Sequence, residues 1–97
     1  MISREDYIFT VGFSGNTAIV SKSMKARYRR HTAVQLVEKG FFKAAVNMAC
    51  YDNAQDALER ILQIYNEHNS YTLDGSTQLK RIFGVLESLE DIDRVLY

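Results

Sequence analysis

Residues 23–29, Ser-Met-Lys-Ala-Arg-Tyr-Arg, alternate with a period of two: Met24, Ala26 and Tyr28 fall on one side of an extended chain, and Lys25, Arg27 and Arg29 on the other. That spacing predicts a β-strand with one buried face. A helix over the same residues, at 3.6 residues per turn, would scatter the basic and the apolar side chains around its cylinder.

Two further extended segments precede this one. Tyr7–Phe13 (YIFTVGF) is rich in aromatic and β-branched residues, and Thr17–Ser21 (TAIVS) is β-branched again. Between them Ser14-Gly15-Asn16 reads as a hairpin connection, because Gly and Asn tolerate positive φ. The front third of the chain is therefore expected to be a sheet.

Downstream the pattern becomes helical. Thr32-Ala33-Val34-Gln35 has the capping-box form, in which the threonine and glutamine side chains satisfy otherwise unpaired amides at a helix start. A short helix should run to Lys39, with Gly40 as its left-handed terminator. Phe41–Tyr51 restarts with apolar residues at 41, 44, 45, 48 and 49. Asp52–Gln55 repeats the capping-box spacing, and Ala54, Ala57, Leu58, Ile61, Leu62 and Tyr65 then form a helical stripe. Residues 69–76 read as a loop, and Leu79, Ile82, Phe83, Leu86 and Leu89 trace one face of a final helix. That helix either passes through Gly84 or ends there, with Ser88 capping a last short helix carrying Ile92, Val95 and Leu96. The chain has no proline, so glycines, turn residues and caps must supply all its punctuation.

The expected fold is α+β: an N-terminal three-stranded antiparallel β-meander packed against three or four C-terminal α-helices. We expect residues 1–97 to form a single globular domain, with strands over about 7–29 and helices over about 32–96. The composition agrees, at 46% hydrophobic and 25% charged, both near globular averages. Cys50 is the lone cysteine, which excludes an intrachain disulfide framework and suits a reducing, cytoplasmic setting. The longest uncharged stretch, residues 7–21, is too short and too interrupted for a membrane span or a signal peptide.

Net charge is zero, but its distribution is uneven. Residues 1–48 carry eight Lys or Arg against three Asp or Glu; residues 49–97 carry four against nine. Such polarity serves internal packing, head-to-tail association or a basic binding face.

The candidate chemistry is sparse. Gly12 and Gly15 in VGFSGN lack the spacing and the lysine of a phosphate loop, and a strand rather than a helix follows them. His31 and His68 have no second ligand at helical spacing, so no metal and no cofactor is expected. Cys50 sits among Ala44, Ala45 and Ala49, where it reads as a compact hydrophobe. The carboxylates Glu87, Glu90, Asp91 and Asp93 read as a solvated helix face. Thr32–Met48 resembles a helix-turn-helix, which would turn Lys43 and Asn47 toward base edges; Leu36 and Lys39 depart from that pattern. Residues 41–65 are similar to one tetratricopeptide-type hairpin, which implies only an antiparallel helix pair, since such units need stacked neighbours.

The basic segment is the one candidate site: Lys22, Lys25, Arg27, Arg29 and Arg30. As a strand it would space Lys25, Arg27 and Arg29 about 6–7 Å apart, comparable to phosphates along a nucleic-acid strand. Basic residues also protect sheet edges, so the same cations have a structural reading. We therefore expect no enzyme but a small protein-interaction or assembly module, with a protein partner or itself as a homo-oligomer. A nucleic-acid-binding accessory protein using residues 22–30 is the alternative. Neither a membrane nor a small-molecule ligand is implied.

Overall fold

Three residues from its start the chain meets its first cap. A computed structural model describes residues 2–68, 73, 75–85, 92 and 94–97. In it Ser3 Oγ accepts the Asp6 amide at 3.2 Å and opens α1, Arg4–Ile8. The expected first strand is thus divided: Tyr7 and Ile8 close a single helical turn, and β1 spans Thr10–Ser14. The apolar side chains of the segment face the interior as its composition predicts: Tyr7, Ile8 and Phe9 are all buried. The cap decides the backbone, because a serine oxygen in reach of the Asp6 amide satisfies a donor that an extended chain would leave to water.

β1 returns through Gly15-Asn16 into β2, Thr17–Val20, pairing antiparallel with Ser14 opposite Thr17. Gly15 has φ 59° while Asn16 does not have positive φ, the pattern of a type II′ hairpin turn, whose twist matches the strands. A bulge between Thr10 and Gly12 offsets the register.

The next segment overturns the strand expected over residues 23–29. It is a helix, α2, Lys22–Tyr28. Ser21 Oγ accepts the Met24 amide at 3.4 Å, and Lys, Met, Ala and Arg are strong helix formers with no β-branched residue among them. Met24 and Tyr28 are two turns of a period-two pattern but also an i, i+4 pair, so the helix still lays both against the core. Tyr28 packs on Phe41 with ring centroids 4.9 Å apart.

The third strand comes from elsewhere. β3, Arg94–Leu96, lies beside β2 in parallel, giving the order β1-β2-β3. The fold is α+β with a three-stranded sheet, but the sheet is mixed rather than an antiparallel meander, and six helices are found among the described residues. Val95 and Leu96 are therefore strand, not the last short helix expected of them. Ser88, Leu86, Leu89 and the carboxylates Glu87, Glu90, Asp91 and Asp93 lie outside the described residues.

The remaining helices follow their local stop signals closely and their start signals in part. Thr32 and Gln35 form the reciprocal capping box that opens α3, Ala33–Glu38. Gly40 at φ 85° ends it in a Schellman motif, with Phe41 N–H donating to Leu36 O and Gly40 N–H to Val37 O. Helix α4, Phe42–Tyr51, ends the same way, with Asn53 at φ 51° in the left-handed position. The expected Asp52–Gln55 capping box does not form: Asp52 closes α4, and its carboxylate receives two hydrogen bonds from Arg4 at 2.7 and 2.8 Å. Helix α5, Gln55–His68, buries Leu58 and Ile61 and packs Ala57, Leu62 and Tyr65 against the same core, joined by Ala54 just before its start. Helix α6, Ser76–Ile82, stops at Gly84, φ 64°, in a third Schellman motif. No helix among the described residues is long and apolar enough to cross a membrane.

The core sits mainly between α3, α4 and α5, around Leu36, Val46 and Ile61, with Ile8 and Phe9 at the end of α1, Val20 of β2 and Leu79 of α6 packed into it. A smaller cluster of Ile2, Tyr7, Ala18 and Ile92 lies beside it. Helix α4 is central: residues 44–49 are all buried, including Asn47.

Candidate functional site

The helix over residues 22–28 redistributes the basic segment. Positions 22, 25, 26 and 29 are related by i, i+3, i+4 and i+7 and share one face. On that face Lys22, Lys25, Ala26 and Arg29, together with Tyr97, line a cleft of about 360 Å³. Arg27 and Arg30 are exposed and do not line it. The single row of Lys25, Arg27 and Arg29 expected from a strand is therefore absent, because successive residues of a helix turn by about 100° instead of alternating.

Lys25 is not available as an isolated cation. Its Nζ donates to Asp6 Oδ1 at 2.6 Å, and the other carboxylate oxygen of Asp6 accepts the Tyr97 hydroxyl, also at 2.6 Å. Lys25 Nζ also stands 5.2 Å from the centroid of the Tyr97 ring, a cation–π distance. Asp6 is buried, 7% exposed, and burial by itself pushes its carboxyl up. The hydrogen bonds from Lys25 and Tyr97 outweigh that and hold it below the usual 3.8. The same bonds push the Lys25 ammonium and the Tyr97 phenol upward. Three segments remote in sequence, α1, α2 and the end of β3, are thus tied at one carboxylate.

Lys22, Arg27, Arg29 and Arg30 form no ion pair among the described residues. Asp6 and Tyr97 were missed by sequence reasoning. Asp6 lies three residues after Ser3, a spacing that marks a helix start, but no local signal links it to Tyr97.

Other candidates resolve into structure. Asn47, expected to face base edges in the helix-turn-helix resemblance, is 2% exposed and donates through Nδ2 to Ile8 O at 3.1 Å and Thr10 O at 3.3 Å. Lys43 Nζ donates to the carbonyls of Phe83 and Gly84, closing the end of α6, and burial lowers its pKa. With residues 44–49 covered, α4 has no face to lay in a groove, as a helix-turn-helix recognition helix requires. Cys50 forms no disulfide and packs against both core clusters. His31 meets the edge of Tyr28 at 5.2 Å, and His68 is exposed at the end of α5. No group of three or more His, Cys, Asp or Glu is placed to hold a metal among the described residues. A second, apolar depression of about 260 Å³ lies between β1 and the start of α4, bordered by Val11, Phe41 and Phe83.

No protein-family model, no curated protein and no solved structure matches the chain.

Proposed function

We propose that the protein is a small non-catalytic interaction module that assembles through the edges of its sheet, with a second copy of itself as the favoured partner. The observation that carries this reading is the pair of outer strands. Among the described residues β1 and β3 each have a neighbouring strand on one side only, and each turns a large apolar side chain to solvent: Val11 is 53% exposed and Leu96 58%. Unpaired amides beside exposed apolar residues are a template for another strand. The opposite charge of the two halves favours association of copies over repulsion.

The test is molar mass by light scattering over a concentration series. Mass above the monomer should appear, and Val11→Lys or Leu96→Lys should return it to the monomer value. A strictly monomeric protein at its highest soluble concentration would end the self-assembly reading.

A second reading is favoured by four exposed cations that form no ion pair among the described residues, Lys22, Arg27, Arg29 and Arg30: an accessory protein that binds nucleic acid. Its signature is affinity that falls steeply with salt and falls further in Arg27→Gln/Arg29→Gln. Binding indifferent to salt removes it.

A further inference from the structure

We propose that the cleft over Ala26 is a site for a small phosphate monoester bearing a planar ring, the chemical class of a nucleoside monophosphate. It uses the α2 face rather than the strand edges, so it stands or falls apart from the assembly reading.

The geometry supplies each part of such a ligand with a counterpart. Lys22 and Arg29 are seven residues apart, about 10 Å along the helix axis, and flank Ala26 on one face. Their long side chains can close on a group lying above Ala26, whose single methyl keeps the floor of the cleft low. A larger residue at 26 would fill the space. Arg29 offers the planar fork that suits phosphate oxygens, and Lys22 a mobile point charge.

Charge sets the ligand class. Lys25 is balanced by Asp6 at 2.6 Å, so among the described residues that line the cleft Lys22 and Arg29 are the cations without an ion pair. Two cations match a phosphate monoester, which carries roughly −1.5 to −2 at neutral pH, better than a singly charged carboxylate or phosphodiester.

Tyr97 supplies the wall. Tyr97 is 61% exposed, yet its hydroxyl is held by Asp6 and its ring is approached by Lys25, so its orientation is set before any ligand arrives. A fixed, open aromatic face is a stacking surface that costs little ordering on binding. The volume, about 360 Å³, accommodates one nucleotide-sized molecule and not a run of bases.

The experiment is calorimetric titration of the full chain with adenosine 5′-monophosphate, with inorganic phosphate, adenosine and a single-stranded oligonucleotide as parallel arms. Saturable one-to-one binding of the monophosphate is expected, with inorganic phosphate weaker by about tenfold for want of stacking. Lys22→Gln and Arg29→Gln should each weaken it by about tenfold. Ala26→Leu should abolish it. Tyr97→Ala should weaken it by about tenfold, as the loss of stacking does for inorganic phosphate, and Tyr97→Phe, which keeps the ring but loses the hydroxyl bond to Asp6, should weaken it less than Tyr97→Ala. Circular dichroism confirms that each variant is folded, which the exposure of residues 22, 26, 29 and 97 favours. The proposal is overturned by no saturable binding, by Ala26→Leu binding like the parent, by inorganic phosphate binding as tightly as the nucleotide, or by Arg27→Gln and Arg30→Gln weakening it as much as Arg29→Gln. Oligonucleotide binding much tighter than the monophosphate overturns it too, in favour of an extended nucleic-acid surface.

Discussion

Helices α4 and α2 each send one polar side chain to the start of the chain, and they do so under opposite conditions. Asn47 of α4 reaches the carbonyls of Ile8 and Thr10 from a helix whose residues 44–49 are wholly buried. Lys25 of α2 reaches the carboxylate of Asp6 from a helix with no buried residue, and its side chain keeps 27% of its surface in water. Water can replace the second link but not the first. Rigidity should therefore reside in α4 and adaptable chemistry in α2, which is where the cleft lies.

The largest expected effect tests the α4 side of that contrast. Asn47→Leu leaves two backbone carbonyls without donors in a dry interior, and should cost about 3 kcal/mol, roughly 15 °C in Tm. Urea or thermal unfolding measures it; a loss below about 1 kcal/mol would mean that water reaches those carbonyls and would erase the distinction.

Next comes Asp6→Asn. Lys25 can turn to solvent once unpaired, so the loss near neutral pH should be about 1–2 kcal/mol, less than a fully buried ion pair would show. The pH dependence sharpens the point. The Asp6 carboxyl lies below its ordinary value when folded, so its contribution is present above about pH 4, the unfolded value, and disappears as pH falls through the folded one. Unfolding measured across the acid range should show a shallower decline in Asp6→Asn than in the parent. Some slope must persist, because Arg4 holds Asp52 low as well. Equal slopes in the two proteins would show that the Asp6 cluster does not form in solution.

Gly40→Ala should cost about 1 kcal/mol. No atom lies within 4 Å of the added Cβ, so the whole effect is the left-handed backbone at φ 85°. A loss several times larger would indicate a packing role at the α3–α4 joint. Smallest of all, Lys22→Gln and Arg27→Gln should each change stability by no more than about 0.5 kcal/mol, since both side chains are exposed and unpaired among the described residues. A larger change at either would place α2 in the core after all.

How much of this was legible beforehand differs by element. The Thr32–Gln35 capping box and the stop at Gly40 were read with their bounds, and Gly84 was recognised as a possible end of α6. Residues 23–29 misled because seven residues hold too little pattern: Met24 and Tyr28 satisfy the strand period and the i, i+4 helix spacing at once. The helix-forming composition and the cap at Ser21 were the overlooked signals. In the candidate site, Lys22, Lys25 and Arg29 were named among five basic residues, but nothing local distinguished them from Arg27 and Arg30. Asp6 and Tyr97, 91 residues apart, could not be joined from either end.

Helix starts, helix stops and the hairpin turn were determined by the sequence alone, because a cap or a left-handed glycine acts within four to six consecutive residues and needs no partner from afar. The third strand, the outward face of α2 and the hydrogen bonds made by Asp6 and Asn47 were decided only in the tertiary structure. Three residues such as Arg94–Leu96 have no strand preference strong enough to act alone; they become a strand because residues 17–19 stand beside them with unpaired backbone groups.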